Sequence, residues 1–474
     1  RDPHLGKVMR YQLRYVRVRL TPPGATWETI PNPIPTCGIG APSDASTWCN
    51  RQYEHVSQLQ PTKTTAWSSS QPPSQRPQPS AWFRDIYATG LLEVSHDPAV
   101  LDGHGRWAVC QQFDGHLTLA RFADWRTTHG HESNTPAGTD LGVPHETVPA
   151  QSWHPPQSEQ WRSSMSAEDY RQGVRLIKEE IARGVVYQVN LCRVMSAPLN
   201  SMLSEGASPD DVAPAPDIMA LADVLARGNP APYAGALRLP ATTTRRGIHI
   251  ACASPELFLA RHGHTLHSRP IKGTAKPGTD FLDKDYAENV MIVDLVRNDL
   301  SVVAEPGSVV VPEFLAVEQH PGLLHLVSGV SARLSTDAAW ADILAAAFPP
   351  GSVSGAPKSS ALRVIERLEP VPRGPYCGAF GWVDADTGEG ELAVAIRTFW
   401  IDDHPLPGQP RDNTRYWLKF GTGAGITWGS DPELEWQETE LKAAKLVALA
   451  SRETVDVADA TPDPTERAQH DRMG

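Results

Sequence analysis

The sequence lacks the features expected of a membrane protein, a disulfide-rich protein or a nucleic-acid-binding protein. No apolar run approaches the roughly 18 residues that are needed to span a bilayer, and no secretory signal follows the first residues. The six cysteines among 474 residues include no Cys-x-x-Cys pair and no zinc spacing. A formal net charge of −12 argues against nucleic acid as the main partner. We therefore expect a cytoplasmic protein with free thiols and no membrane contact.

Composition divides the chain into three predicted parts. Residues 1–160 are expected to form a β-rich region, and about 31–80, rich in Pro, Ser, Thr and Gln, to be a disordered insertion within it. Residues 161–451 carry most of the apolar periodicity and are predicted to be the main folded domain. Residues 452–474 are polar and predict a disordered tail.

Helical and strand-like patterns alternate irregularly within the main domain. Ser166 and Asp169 predict a capping box at the start of a helix. Helical spacing also predicts helices at 282–303, 359–368 and 432–449. Segments such as "GAFGWVDA", "ELAVAIRTFWI" and "TRYWLKFG" are rich in the β-branched and aromatic residues of strands. Clustered strands with separate long helices predict an α+β fold rather than a doubly wound parallel sheet.

Two of the predicted helices carry paired carboxylates. Asp285 and Glu288 are three residues apart, as are Glu435 and Glu438, so each pair projects from one face of its helix. If the pairs face each other, they form an all-oxygen site that suits Mg²⁺. The alternative is two solvated helix faces with ordinary surface ion pairs.

Two glycine-containing segments have the composition of anion-binding loops. Residues 420–426, "FGTGAGI", are predicted to end a strand, and residues 349–358, "PPGSVSGAPK", lead into a helix. Neither matches a Walker or a complete Rossmann pattern, so no nucleotide is implied, and either segment could be a simple turn. Arg397 lies in strand-like "AVAIRTF", and a buried arginine there needs a carboxylate from the protein or from a ligand.

Three single residues have both an ordinary and a chemical interpretation. Glu256 in "CASPELFLAR" is either a surface acid at a strand end or, if buried, a general acid with a raised pKa. His325 lies among leucines, which is typical of a hydrogen-bonded core histidine. Lys272 follows "HTLHSRPI" and precedes a glycine in what we predict to be a turn. It is either a solvated charge or an amine held in a site.

Taken together, the motifs resemble those of the chorismate-utilising enzymes. This family includes component I of anthranilate synthase and of aminodeoxychorismate synthase, isochorismate synthase and salicylate synthase. The matching segments span about 165–450, roughly 60% of the chain, in the family's order. They are "YQVNL", "NPAPYAG", "SPELFL", "RPIKGT", "KDYAENVMIVDLVRNDL", "AEPGSVVVPEF", "HLVSGV", "FPPGSVSGAPK", "YCGAFGW", "AIRTF", "GTGAGI" and "EWQETELKAAKL". None is specific alone, but the set is.

The resemblance implies an α+β fold with two large antiparallel β-sheets packed as a sandwich and helices outside. It implies that 161–451 is a chorismate-binding catalytic domain that holds one Mg²⁺. Glu288 and Glu438 are the implied metal ligands, with Asp285 and Glu435 alongside.

The resemblance also implies roles for further residues. Glu256 matches the acid that protonates the departing hydroxyl group of chorismate, and His325 matches a catalytic histidine beside the ring. The implied substrate-binding residues are Gln188, Thr274, Ser352, Tyr376, Arg397, Gly423, Gly425 and Lys442.

Two positions separate the branches of the family. Water-adding members carry a lysine base where this chain has Gln188, and a glutamine cannot deprotonate water, which favours ammonia as the nucleophile. Anthranilate synthases resemble this site but read Pro-Ile-Ala-Gly-Thr, whereas Lys272 is similar to the lysine of aminodeoxychorismate synthase component I. The expected function is therefore conversion of chorismate and ammonia to 4-amino-4-deoxychorismate, with Lys272 as a covalent nucleophile.

The same resemblance implies partners. No glutaminase motif is visible, so ammonia is expected from a separate glutamine amidotransferase subunit. A separate aminodeoxychorismate lyase would then release p-aminobenzoate. The alternatives are anthranilate synthase component I and a non-catalytic chorismate-binding member. Intact Glu256, Lys272, Glu288, His325 and Glu438 argue against the non-catalytic one.

Overall fold

The structure, a computed structural model, describes seven ranges of the chain: 78–127, 153–199, 216–242, 246–275, 278–320, 323–410 and 414–452. The predicted insertion at about 31–80, apart from its last three residues, lies outside these ranges. The predicted tail, apart from its first residue, also lies outside them.

Six α-helices occur in the described ranges. They are α1 (Ala167–Ala182), α2 (Ile218–Gly228), α3 (Asp283–Ser301), α4 (Trp340–Ala347), α5 (Lys358–Leu368) and α6 (Pro432–Ala450). The capping box that the sequence predicts for α1 is present, and the predictions of α3, α5 and α6 are confirmed. Sequence reasoning missed α2 and α4. Almost every position of the short α4 is apolar, so it has no polar face to reveal a helical period.

The strands of the described ranges number eighteen. They are β1 (Ser80–Phe83), β2 (Ile86–Ser95), β3 (Arg106–Gln111), β4 (Leu117–Thr127), β5 (Arg162–Ser163), β6 (Gln188–Leu199), β7 (Tyr233–Leu239), β8 (Ile248–Ser254), β9 (Leu257–His262), β10 (Thr265–Arg269), β11 (Ile271–Ala275), β12 (Val310–His320), β13 (Leu323–Arg333), β14 (Gly355–Ala356), β15 (Ala379–Asp384), β16 (Glu389–Val394), β17 (Thr398–Asp402) and β18 (Tyr416–Ile426).

All ladders between these strands are antiparallel and join them into one hydrogen-bonded sheet. Its order is β6–β18–β17–β8–β7–β1–β2–β4–β3–β15–β16–β9–β10–β13–β12. β11 continues β10 along β13, and β5 and β14 pair with β6. The expected α+β class is confirmed. The two sheets of the expected sandwich are the halves of this sheet, and β1 and β2 link them.

The main core lies between the two halves. Leu119 of β4 and Val383 of β15 share one apolar cluster with Leu237 of β7 and Cys252 of β8. Helices α3 and α4 add buried side chains to the same cluster. On the other face, α2 and α6 cover β7, β8, β17 and β18, while α1 and α5 cover the ends of β6 and β18. This arrangement sets α3 against β11 and β13, and α6 against β18.

Three local predictions about strands and loops were wrong. The segment predicted as one strand at 391–401 is divided into β16 and β17, and Arg397 lies in the break with φ +52°. The "FGTGAGI" segment is not a loop, because 420–426 continue β18 and pair with β6. Lys272 is not in a turn, because it belongs to β11. In each case, pairing with a strand distant in sequence decides the backbone conformation.

Two predicted absences can be compared with the described residues. Their four cysteines, Cys110, Cys192, Cys252 and Cys377, are buried free thiols, as expected. None of the helices in the described ranges is long and apolar enough to cross a membrane.

Candidate active site

The two acidic pairs face each other where the start of α3 meets α6. Asp285 and Glu288 project from α3, and Glu435 and Glu438 from α6. Lys284 lies between the helices: its Nζ is 3.6 Å from Glu435 Oε1 and 4.0 Å from Glu438 Oε2. The alternative of two separate solvated faces therefore does not apply.

Burial and mutual repulsion set the charges of this acid cluster, which we define as Asp285, Glu288, Glu435 and Glu438. Burial raises the pKa values of Asp285, Glu288 and Glu435, and nearby carboxylates add to the increase. Glu438 behaves differently because Lys442 Nζ lies 2.7 Å from its Oε1 and lowers its pKa. Such a cluster is stabilised by a cation.

The donor atoms at the cluster fit a hard divalent ion. Glu435 Oε2 and Gln188 Oε1 are buried and have no hydrogen-bond partner in the described ranges. Gln188 Nε2 donates to Glu288 Oε2 at 3.1 Å, which holds that carboxylate in place. A Cβ at Gly425 would lie 2.4 Å from Gln188 Nε2, so glycine leaves the space that the amide needs. Carboxylate and amide oxygens are the ligands that Mg²⁺ prefers.

The carboxylates do not, however, close around one point in this structure. In the described ranges, the one group whose ligand atoms all lie within 4.8 Å of one another is Asp402, Asp403 and His404. Asp402 is already paired with Lys419 at 2.7 Å, and Asp403 is exposed. We therefore assign no ion to that surface group. In the acid cluster, the Lys284 ammonium lies beside the carboxylates of Glu435 and Glu438.

A bulge in β11 orients the Lys272 side chain toward this region. Gly273 has φ +87°, and the register with β13 shifts between Ile271 and Thr274. A bulge of this kind re-aims a side chain next to a site. Lys272 Nζ donates to the carbonyl oxygen of Ser352 at 2.8 Å. A Cβ at Gly273 would lie 2.9 Å from Asp285 Cβ, so the bulge packs directly on α3.

Glu256 lies beside the same two residues. Its side chain is buried, and burial raises its pKa to about 7. The hydroxyl of Ser352 and the charge of Lys272 oppose the increase. Ser352 thus contacts both groups, through its carbonyl oxygen and its hydroxyl. The interpretation of Glu256 as a surface acid is wrong, because the β8–β9 junction is interior.

His325 lies on β13 next to the bulge. It is buried and pairs across the ladder with Thr274 of β11 and with Glu318 of β12. The register therefore places His325 beside Thr274, and Thr274 follows Lys272 closely in β11. This position fits both a core histidine and a residue that lines the site.

Arg397 has no carboxylate partner among the residues that the structure describes. Its guanidinium makes no hydrogen bond or ion pair within the described ranges, and burial lowers its pKa. Its carbonyl oxygen accepts from Ala253 N at 3.1 Å, which fixes the break between β16 and β17.

The glycine segment of β18 presents an open strand edge. β17 pairs with β18 only as far as Phe420, while β6 pairs with its whole length. The carbonyl oxygen of Gly423 accepts from Lys442 Nζ at 3.1 Å, on the edge away from β6. Because N–H and C=O groups of one residue share an edge in a strand, the N–H groups of Gly423 and Gly425 face the same way.

Tyr376 packs behind this edge. Its ring is buried, and a Cβ at Gly421 would lie 2.1 Å from it. Burial raises the pKa of Tyr376 well above its usual range, so it is a neutral hydroxyl donor. Contacts thus link the acid cluster to Gln188 and Lys442, and Lys442 to Gly423. A second set of contacts links Lys272 to Ser352 and Glu256. Arg397 lies in the break between β16 and β17.

Sequence reasoning missed two lysines near the site. Lys284 could have been noticed because a cation in the first turn of a helix opposes the helix dipole. Lys358 Nζ pairs with Asp299 at 2.8 Å and donates to the carbonyl oxygen of Ala347 at 2.9 Å. These contacts anchor the loop that carries Ser352. No sequence signal links residues 299 and 358.

Two known proteins of different activity are equally similar to the chain. The chain is 36% identical to the aminodeoxychorismate synthase component 1 of Klebsiella aerogenes over 301 residues, which are 60% of this chain and 59% of that protein. It is also 36% identical to the anthranilate synthase component 1 of Streptomyces coelicolor over 304 residues, 62% of this chain and 53% of that protein. The matches thus span less than two thirds of these relatives.

The fold has solved counterparts. The menaquinone-specific isochorismate synthase from Escherichia coli superposes with a TM-score of 0.57 at 18% identity, over 86% of this chain and 99% of that one. At this identity, the likeness supports the fold alone. The decisive match is to the family described as chorismate binding enzyme, over residues 51–448, which begins well before the motifs that carry the resemblance. The chain belongs to the family of chorismate binding enzymes.

Proposed function

We propose that this chain is component I of an aminodeoxychorismate synthase, which converts chorismate and ammonia to 4-amino-4-deoxychorismate. The observation that carries the proposal is the position of Lys272. Its Nζ is held 2.8 Å from the carbonyl oxygen of Ser352, whose hydroxyl contacts Glu256. A nucleophilic amine and a proton donor are thus adjacent, as a displacement with a departing hydroxyl group requires.

In the first step, the neutral amine of Lys272 forms a bond to C2 of chorismate. The ring double bonds shift, and the bond between C4 and its oxygen breaks. Glu256 gives its proton to that oxygen, so the hydroxyl leaves as water. A pKa of about 7 keeps part of the Glu256 population protonated near neutral pH.

In the second step, ammonia forms a bond to C4. The double bonds shift back, and the bond between C2 and Lys272 breaks, which returns the electron pair to the amine. The new nitrogen at C4 then loses a proton, which restores the protonated form of Glu256. Chorismate and ammonia have become 4-amino-4-deoxychorismate and water. Gln188 supports ammonia as the nucleophile, because its carboxamide cannot take a proton from water.

The remaining site residues would orient the substrate. Arg397 and the N–H groups of Gly423 and Gly425 would bind carboxylate oxygens, with Tyr376 and Lys442 nearby. His325, Thr274 and Ser352 would line the ring. Glu288 and Glu438, with Asp285 and Glu435, would hold Mg²⁺, whose charge would stabilise the ring carboxylate.

The relatives leave anthranilate synthase component I as the second candidate, in which ammonia attacks C2 and pyruvate leaves. Equal identity to the Klebsiella and Streptomyces proteins does not separate the two. Lys272 favours the first, because anthranilate formation needs no enzyme amine at C2. In either case, we propose that a glutamine amidotransferase subunit supplies ammonia, and in the first that an aminodeoxychorismate lyase consumes the product.

The test is product analysis with Lys272→Ala. The wild-type chain, chorismate, Mg²⁺ and an ammonium salt are incubated at mildly alkaline pH, and a lyase is added to release p-aminobenzoate. We expect p-aminobenzoate from the wild type and a loss of at least about 100-fold in Lys272→Ala, because the covalent route is closed. Liquid chromatography with mass detection measures both.

The matched control is Lys445→Ala, which removes an exposed lysine from α6 and should retain the wild-type rate. Anthranilate as the product would contradict the proposal and favour the second candidate. A Lys272→Ala variant as active as the wild type would refute the nucleophile. Absence of turnover with Mg²⁺ bound would favour a non-catalytic member of the family.

A further inference from the structure

Lys284 occupies an unusual position for a lysine. It is the second residue of α3, where the positive end of the helix dipole disfavours a cation. Its flanking residues, Asp283 and Asp285, are the acids that this position favours. A residue that opposes local helix stability has a reason elsewhere in the fold, and for Lys284 that reason is the acid cluster.

The three lysines around the cluster differ in how they are held. Lys272 Nζ and Lys442 Nζ each donate to a backbone carbonyl oxygen, at 2.8 Å and 3.1 Å. Lys442 Nζ is also 2.7 Å from Glu438 Oε1. Lys284 makes no hydrogen bond within the described ranges, and its closest ion pairs are 3.6 Å and 4.0 Å long. Its ammonium is therefore the one of the three that can leave without breaking a hydrogen bond.

The Lys284 ammonium lies where the negative charges of the acid cluster need a positive counter-charge. The Lys284 side chain is a cation at neutral pH, and its two ion pairs join it to carboxylates of the acid cluster. Glu435 Oε1 lies beside this cation, whereas Glu435 Oε2 is buried and accepts no hydrogen bond within the described ranges. Lys284 and Lys442 thus balance the four carboxylates of the cluster only in part.

We propose that Lys284 is an internal counter-ion, which balances the acid cluster before a divalent ion binds and which competes with that ion for the carboxylates. The inference rests on the metal site of the proposed function. It assigns Lys284 a role in metal affinity and in the stability of the metal-free protein, not in the chemical steps.

Binding of Mg²⁺ to the full chain tests the proposal by isothermal titration calorimetry without substrate. Lys284→Met keeps the aliphatic stem but removes the charge, and we expect its Mg²⁺ dissociation constant to fall on the order of tenfold. Lys284→Arg keeps the charge and should stay within about threefold of the wild type. Lys445→Met, the same change at an exposed position of α6, is the control and should not alter the affinity.

Thermal unfolding in EDTA gives a second readout. The metal-free Lys284→Met protein should unfold at a lower temperature than the wild type, and saturating Mg²⁺ should reverse the difference. Unchanged or weaker Mg²⁺ binding by Lys284→Met would overturn the proposal while leaving the metal site intact. A wild-type chain that binds no Mg²⁺ would overturn both. Weaker binding by Lys284→Arg and Lys284→Met alike would show that the side chain supports the metal rather than competes with it.

Discussion

At the scale of single residues, Glu256 carries an unusual electrostatic balance. Only 4% of the residue is exposed, and burial raises its pKa to about 7. The Ser352 hydroxyl and the charges of Lys272 and Lys442 hold the pKa below the value that burial alone would give. Glu256 is therefore a carboxyl group that exchanges its proton near neutral pH, as a general acid must.

This balance predicts a pH-dependent stability difference for Glu256→Gln. A carboxyl whose pKa is higher in the folded state stabilises the fold below its unfolded pKa, and that contribution is lost as pH rises through about 7. Glutamine mimics the protonated form at every pH. We expect similar stability at pH 4.5 and up to about 3 kcal/mol in favour of the variant at pH 8, measured by urea unfolding.

Glu366→Gln is the matched control, since it makes the same change at an exposed position of α5. Glu256→Gln should also reduce kcat by about 10²-fold or more. A variant that is less stable than the wild type at pH 8 would contradict the burial argument.

At the scale of one element, the bulge in β11 connects strand pairing to the site. Gly273 with φ +87° lets the chain skip register against β13, and this skip turns Lys272 toward Ser352. A side chain at 273 would meet both the unfavourable φ and Asp285. Gly273 therefore allows both the positive φ of the bulge and the close approach of β11 to α3.

Gly273→Ala should be more damaging than Gly278→Ala. The two glycines have nearly the same φ, +87° and +86°, but a Cβ at Gly278 would have no atom of the described residues within 4 Å. We expect a loss of about 1–2 kcal/mol for Gly278→Ala from the backbone alone. Gly273→Ala should lose a further 1–3 kcal/mol from the clash and a large part of kcat.

Guanidinium unfolding of both variants and steady-state kinetics measure these effects. Equal losses of stability in the two variants would show that the contact with Asp285 is unimportant. A stable Gly273→Ala variant with full activity would show that the bulge does not position Lys272.

At the scale of the whole molecule, β1 joins the two halves of the sheet. It pairs with β2 on one side and with β7 on the other. Phe83, at the end of β1, packs against Phe380 of β15 with ring centroids 5.2 Å apart and against Trp125 of β4 at 6.3 Å. A strand from the N-terminal part of the chain thus contributes to the same core as the strands that frame the site.

Phe83→Ala should destabilise the entire fold. Truncation of a buried phenylalanine leaves a cavity, and we expect the free energy of unfolding to fall by about 3–5 kcal/mol. Leu92→Ala in β2 is the control, because 57% of Leu92 is exposed and its loss should change stability by less than about 0.5 kcal/mol. Urea unfolding followed by tryptophan fluorescence measures both, and a Phe83→Ala midpoint equal to that of the wild type would contradict the linking role of β1.

Local patterns were sufficient for the elements whose cause is local. The capping box of Ser166 and Asp169 and the helical spacing that follows fix α1. The i, i+3 spacing of the acid pairs fixes which side chains share a helix face. The joint set of motifs, rather than any single one, indicated the family. Their roles in binding and chemistry stay predictions until the variants are measured.

Tertiary structure alone decided the features that depend on residues far apart in the chain. Pairing with β6 keeps the glycine segment at 420–426 in a strand, and the break at Arg397 follows from the positions of β16 and β17 in different parts of the sheet. The burial that shifts Glu256 and the meeting of Lys284 with Glu435 are also long-range. Spacing along the chain determines periodicity and caps, whereas dielectric environment, register and charge pairing are properties of the assembled fold.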